Sequence, residues 1–390
     1  MQSKNARRAQ YLLINLFVFA LAGVLYGCVY YTGIFAPFRR ALHDFTITDL
    51  CYSGAGQPAR PSKEYPDDVV VVNVGHRSRY EIAQMIERIQ ACHPRVIGFD
   101  ILFSTKADTA NSYLKNVFSR YSNCIISTRG NFESSEKDVL PEPGLLREDS
   151  GYANLAGVDK EHATVRYFYP YYNGRAAFST AIIKKYDARL AQQLDSSRNI
   201  PREISYSGGE HAFRQLDYEL LSKGIDSNRV KDRIVLFGYM GAEPEMADSN
   251  ARPYTIDDDR LFTPLNDRLS GRSYPDMYGV LVHANILRMM LQEDYITVVP
   301  QWGVWGVAFL ISWLLVPVFC GWFHKKGVWF HSLSRLLQLL VCAALVGGSL
   351  LLYDVAHIKL EPLLPSLIVL LLVDFILFYH LLLPLPEKSD

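Results

Sequence analysis

What this 390-residue chain lacks narrows its chemistry before any motif is read. Lysine and arginine together number 40 and aspartate and glutamate 40, so the formal charge is zero. No whole-chain field draws it to nucleic acid, and no basic, aromatic stretch tracks a groove. Cysteine occurs six times, never as Cys-x-x-Cys or in a Cys/His cluster, which argues against a structural zinc site. There is no Gly-x-Ser-x-Gly elbow, no glycine-rich phosphate loop followed by Lys and Ser or Thr, and no His-Glu-x-x-His. Ser207-Gly208-Gly209 lacks the strand and helix that a phosphate loop needs. Nothing points to an enzyme, a cofactor or a metal, and no internal repeat is visible.

Long apolar runs are what the chain does have, and they sit at its two ends. Residues 11–35, 302–323, 336–353 and 363–383 are apolar, against the roughly 20 residues that a bilayer core requires. The sequence therefore predicts four transmembrane helices. Lys and Arg accumulate in short cytoplasmic flanks. Lys4, Arg7, Arg8, Lys325, Lys326, Arg335 and Lys388 fall on one side and Arg39, Arg40 and Lys359 on the other. That places residues 1–10, the loop 324–335 and the tail 384–390 in the cytoplasm, and a domain of residues 37–300 outside it. Leu25-Tyr26-Gly27-Cys28 loosely resembles a lipoprotein cleavage box, but bulky Tyr26 fits poorly and the apolar run continues past it. Cys28, Cys320 and Cys342 lie in spans as small apolar residues. Cys51, Cys92 and Cys124 face an oxidising compartment, where one disulfide has room to form and the sequence does not choose the pair.

The outer domain alternates strand and helix. Residues 68–75, 95–103 and 124–128 are apolar runs of the kind buried on both faces of a sheet, with helical patterns over Tyr80–Ala91 and Ala107–Tyr121 between them. This order predicts a mainly parallel sheet flanked by helices, a mixed α/β fold with right-handed crossovers. Asn131–Asp149 reads as an exposed loop, Gly151–Asn154 and Thr164–Tyr169 as strands, Ala177–Leu194 as one amphipathic helix, Arg233–Gly238 as a buried strand and Tyr278–Leu291 as a helix.

These segments, in order, resemble the CHASE2 family of extracytoplasmic sensor domains in bacterial signalling receptors. The resemblance rests on Val69–Val74, on Arg95-Val96-Ile97-Gly98-Phe99-Asp100-Ile101-Leu102-Phe103, on Gly151-Tyr152-Ala153-Asn154 ahead of Asp159 and Arg166, on Arg233–Gly238, on Phe262-Thr263-Pro264, and on Tyr278-Gly279-Val280-Leu281-Val282-His283-Ala284-Asn285. The family's usual flanks, one span before and three after, extend it over nearly the whole chain. Family members often carry an acidic residue at the end of the first strand, where this chain has Asn73-Val74-Gly75-His76. Most also continue into an output domain, while this sequence stops at Asp390. The resemblance implies a sensor in the bacterial inner membrane, its large domain periplasmic, acting on a separate signalling or envelope partner and open to homo-oligomer formation. A non-catalytic assembly subunit that uses the domain as a docking surface is the other reading.

In a parallel sheet, ligands favour the crevice outside the strand C-termini. The residues expected there are Asn73, His76, Arg77, Asp100, Arg129 and Tyr239, with the two arginines suited to an anionic ligand; ordinary solvated loop ends are the alternative. Asp100 inside an apolar strand calls for a partner, expected to be loop amides. His283 reads as helix-to-sheet packing, and Gly279 as a site of close backbone approach. Asp257-Asp258-Asp259, with Glu243, Glu245 and Asp248, lacks the alternating ligands and glycine of a calcium loop and reads as solvated. In the last span Asp374 needs a polar partner, with Gln338, Asn15 or another subunit as candidates, and serves either coupling and assembly or plain helix packing.

Overall fold

The computed structural model describes residues 4–32, 46–52, 68–103, 109–129, 149–155, 164–194, 199–241, 259–266, 275–325 and 327–382. The chain divides into two compact units, one of Met1–Cys51 with Thr297–Asp390 and one of Tyr52–Ile296. The first unit begins with helix α1 (Lys4–Thr32).

The second unit is built on a six-stranded sheet. Its strands are β1 (Val69–Asn73), β2 (Val96–Asp100), β3 (Cys124–Thr128), β4 (Gly151–Tyr152), β9 (Arg214–Leu216) and β10 (Ile234–Gly238), ordered β4-β3-β2-β10-β1-β9 and parallel throughout. Alternate side chains of a strand point to opposite faces, and each face has its own core. Val70, Val72, Ile97, Phe99 and Phe237 pack against helices α2 (Arg79–Gln90) and α3 (Thr109–Arg120). Val69, Val71, Ile125 and Leu236 pack against α4 (Phe178–Tyr186) and α7 (Gly279–Leu291). With both faces covered, a strand gains nothing from polar positions, so the inner strands are continuous apolar runs. A capping box fixes the start of α2: Glu81 N–H donates to Ser78 Oγ at 3.3 Å and Ser78 N–H to Glu81 Oε2 at 2.8 Å.

The short elements depart from the expected ones. The helix expected over Ala177–Leu194 is two, α4 and α5 (Ala188–Gln192), because Asp187 leaves helical geometry at φ −149° and its Oδ1 accepts from Arg189 N–H at 3.0 Å. Of Thr164–Tyr169 only β5 (Tyr167–Phe168) is a strand, cut short by Pro170 and paired antiparallel with β8 (Arg202–Glu203). A hairpin of β6 (Tyr171–Tyr172) and β7 (Arg175–Ala176) follows β5, and the short helix α6 (Tyr218–Lys223) follows β9. Antiparallel β11 (Arg260–Leu261) and β12 (Met277–Tyr278) lead into α7. All six cysteines are free, so the disulfide that the sequence left room for is not formed; Cys92 and Cys124 are buried in the core under α2 and α3.

Helices α8 (Gln301–Lys325), α9 (Phe330–Ala356) and α10 (Leu363–Leu382) complete the first unit. With α1 they make four helices long and apolar enough to cross a membrane. Ile14, Val18, Ala308, Phe319, Leu372 and Ile376 form their shared apolar interior. Strands β13 (Thr297–Val298) and β14 (Ile358–Lys359) pair in parallel. Lys359 is 1% exposed and lies 3.6 Å from Glu361.

A candidate cleft at the sheet edge and a polar pair among the apolar helices

A cleft of about 290 Å³ opens beyond the C-terminal ends of β2, β3 and β4, walled by Asp100, Thr128, Arg129, Asn154 and Leu155. Its far wall is Asp259, Leu261, Gly279 and His283, from β11 and the first turns of α7. The β11–β12 pairing sets this wall, matching Arg260 with Tyr278 and Leu261 with Met277. Gly279 N–H then donates to the Asp259 carbonyl at 3.1 Å, and Asp259 takes a left-handed turn at φ 51°, a conformation that aspartate tolerates better than most residues.

A Cβ on Gly279 would stand 3.5 Å from Asp259 Oδ2 and 3.8 Å from Asp100 Oδ2, so two carboxylates converge on the start of α7. Helix N-termini favour negative charge. Among the described residues, however, no hydrogen bond to the side chain of Asp100 or Asp259 is made, and the loop amides expected to hold Asp100 do not reach it. Burial therefore dominates: it pushes the Asp100 carboxyl up to about 7. Burial, then repulsion from Asp100, lifts Asp259 to about 6, with His283 and Arg129 pulling the other way. His283 is 3% exposed. Its Nδ1 lies 3.0 Å from Ser179 Oγ and its ring meets Phe178 edge-on at 5.3 Å. Burial lowers it to about 4, against a hydrogen bond to the Ala153 backbone and the attraction of Asp259. It is a neutral imidazole at physiological pH.

Of the residues expected at the crevice, Asp100 and Arg129 line the cleft. Asn73, His76, Arg77 and Tyr239 gather beside it, at the ends of β1 and β10. Asn73 ties the two loops there: its Oδ1 accepts from Gly75 N–H at 3.0 Å and Met240 N–H at 2.9 Å, and its Nδ2 donates to the Gly241 carbonyl at 3.2 Å. His76 packs on Tyr239 with centroids 5.4 Å apart, and the Arg77 guanidinium lies 4.4 Å from the Tyr218 ring centre. Asp259 and His283 are cleft residues that the sequence reading assigned to a solvated loop and to packing. Glu243, Glu245, Asp248, Asp257 and Asp258 lie outside the described residues.

Among the apolar helices, Asp374 has a partner that the sequence reading did not name. Arg335, expected in a loop, belongs to α9, which starts at Phe330 ahead of the apolar run. Its Nη2 donates to Asp374 Oδ1 at 2.7 Å, and its Nη1 to Gln338 Oε1 at 3.2 Å and to the Leu370 carbonyl at 3.1 Å. Gln338 Nε2 donates to the Val369 carbonyl at 2.7 Å. Gln338 is thus part of the network, while Asn15 donates instead to the Phe309 carbonyl at 3.4 Å.

Fold and cleft together define a parallel α/β domain, in a chain with four helices long and apolar enough to cross a membrane, with a small pocket beyond the C-terminal ends of its strands. The chain belongs to the CHASE2 family: the family model, described as the CHASE2 domain, matches residues 57–319, more than half of the chain. CHASE2 domains are extracytoplasmic sensor domains, sensory rather than catalytic, and the chain is a multi-pass membrane protein. No curated protein and no solved structure matches it.

Proposed function

We propose that this protein is a receptor of the bacterial inner membrane whose CHASE2 domain lies on the periplasmic side, takes a small polar ligand in the cleft, and passes the resulting bias through its spans to a separate partner. The observation that carries the reading is the pair of carboxylates at the start of α7. Two acidic groups held close together, desolvated and without hydrogen-bond donors among the described residues, are costly in the folded state. A ligand that compensates them binds the folded domain with a gain that ordinary loop ends cannot offer. The excess of Lys and Arg on the short flanks supports the orientation.

The test uses the full chain in lipid nanodiscs, with hydrogen exchange read peptide by peptide. A small-molecule extract of growth medium should slow exchange around Asp100 and Asp259 and alter it in the 324–335 segment. Gly279→Leu, whose Cβ meets both carboxylates at ordinary contact distances, should abolish both effects. No change in the native protein, or an equal change in the variant, overturns the reading.

An assembly role has its own observation. Arg335 and Asp374 keep 48% and 47% of their side-chain surface, an ion pair half open on apolar helices. Such a pair suits contact with another polar transmembrane surface.

A further inference from the structure

The cleft also says what kind of molecule it takes. Asp100 and Asp259 face one point at the base of the cleft, within 4 Å of the place a Gly279 Cβ would occupy. Arg129, at the end of β3 on the same wall as Asp100, is exposed and is close enough to Asp259 to stabilise its charge. The site therefore has an anionic pole and a cationic pole. Once both are ionised, their two negative charges outweigh the roughly half positive charge of the α7 N-terminus, so this part of the cleft attracts a cation. Among the described residues no group of three or more His, Cys, Asp or Glu converges as a metal ion would need. An ammonium group, with three donors, suits a pair of carboxylates that receive none from the described residues. Leu102, Leu155 and Leu261 supply the apolar part of its lining. The volume, about 290 Å³, is at the small end of the roughly 300–1,000 Å³ typical of ligand pockets.

We propose that the cleft binds a small zwitterion of the α-amino-acid class, its ammonium group between Asp100 and Asp259 and its carboxylate on Arg129. The inference rests on the reading of the cleft as the sensor's input. The ionisable groups facing Asp100 are Asp259 beside β11, Arg129 after β3 and His283 on α7. His283 stays neutral above pH 5, so the carboxylates decide the pH response. Binding requires both ionised, and affinity falls as pH drops through about 7 and then about 6.

Calorimetric titration of the full chain in nanodiscs, at about pH 8 and about pH 5.5, tests this with the common L-amino acids one by one, followed by matched analogues of the best binder. For leucine these are isoamylamine, which lacks the carboxylate, and isocaproate, which lacks the amine. The amino acid should bind at the higher pH and weaken at the lower. Asp100→Asn should cost it about tenfold or more at the higher pH. Arg129→Gln should weaken the amino acid and leave the amine unchanged, and the acid should not bind. Binding of the acid as tight as that of the amino acid overturns the proposal, as does an affinity indifferent to Asp100→Asn. A third overturning result is failure of every amino acid while the growth-medium extract still protects the cleft, which rejects the ligand class and leaves the sensor reading standing. If neither amino acids nor extract affect the cleft, both fall.

Discussion

Replacing Asp100 with asparagine should stabilise the α/β unit at alkaline pH and do little in acid. Burial raises the folded-state value from 3.8 to about 7. Between those limits the unfolded chain releases its proton while the folded chain keeps it, so the folded state binds more protons and stability falls as pH rises. Below 3.8 both forms are protonated, and above about 7 both are ionised and the loss is complete. At about 1.4 kcal/mol per pH unit the interval corresponds to roughly 4 kcal/mol, an upper bound because Asp100 stands on the wall of an open cleft where water screens its charge. Asparagine has nearly the same shape and no charge, so the variant removes the penalty without opening a cavity. Its advantage over the native chain should widen by roughly 2 kcal/mol between about pH 5 and about pH 8. Fluorescence is the wrong readout, since all five tryptophans, Trp302, Trp305, Trp313, Trp322 and Trp329, belong to the other unit. Urea unfolding of the full chain in nanodiscs, followed by hydrogen exchange in peptides from β1 and β2, reports the right unit. A difference between native and variant that stays constant over this pH range, or a variant that is less stable at about pH 8, refutes the reasoning.

Three further outcomes are expected. Asn285 is fully buried, its Oδ1 accepting from Ser207 N–H at 2.9 Å and Gly208 N–H at 3.3 Å and its Nδ2 donating to the Gly208 carbonyl at 3.1 Å; Asn285→Leu strands these groups and should cost about 3–5 kcal/mol in the same urea assay. A Cβ on Gly151 would lie 2.6 Å from Phe178 Cα and 2.7 Å from the Ala177 carbonyl oxygen, backbone atoms that cannot turn aside, so Gly151→Ala should cost about 3 kcal/mol and leave exchange in β4 and α4 unprotected. Asp374→Asn leaves the Arg335 guanidinium without its carboxylate at 2.7 Å and should lower the yield of detergent-stable protein, and adding Arg335→Gln should restore it; equal yields for the single and double variants would exclude a charge effect.

The inner strands were legible because burial on both faces leaves unbroken apolar runs, as in Val69-Val70-Val71-Val72. Of the two edge strands, β4 was read within Gly151–Asn154 and β9 was not. Strand β9, Arg214-Gln215-Leu216, has a half-exposed pattern and no apolar run to announce it. Asp100 stood out as a carboxylate in an apolar strand. Asp259 could not, because three consecutive aspartates read as a solvated loop, and only the pairing of β11 with β12 carries the last of them to Gly279. His283 sits on a helix whose described neighbours are almost all buried, so its packing role was readable and its place on the cleft wall was not. The breaks at Asp187 and Pro170 are single-residue effects that an averaged periodicity passes over.

Arg335 and Asp374 show the same limit from the other side. One was read as a flanking charge and the other was matched to Gln338, Asn15 or another subunit, because 39 residues separate Arg335 from Asp374 in sequence. At about 1.5 Å per helical residue, Arg335 lies about 8 Å into α9 from Phe330, and Asp374 about 12 Å from the end of α10 at Leu382. Each alone is expensive in an apolar span, whereas the hydrogen-bonded pair is neutral overall. These two polar clusters therefore differ in kind. Among the apolar helices the carboxylate already has a guanidinium at 2.7 Å, so a small ligand has little to add. In the cleft, two carboxylates share one point with no donor among the described residues, and a molecule that brings a donor changes their charge state and the energy of the start of α7 together. That asymmetry is why we propose ligand sensing for the α/β unit and partner contact for the apolar helices.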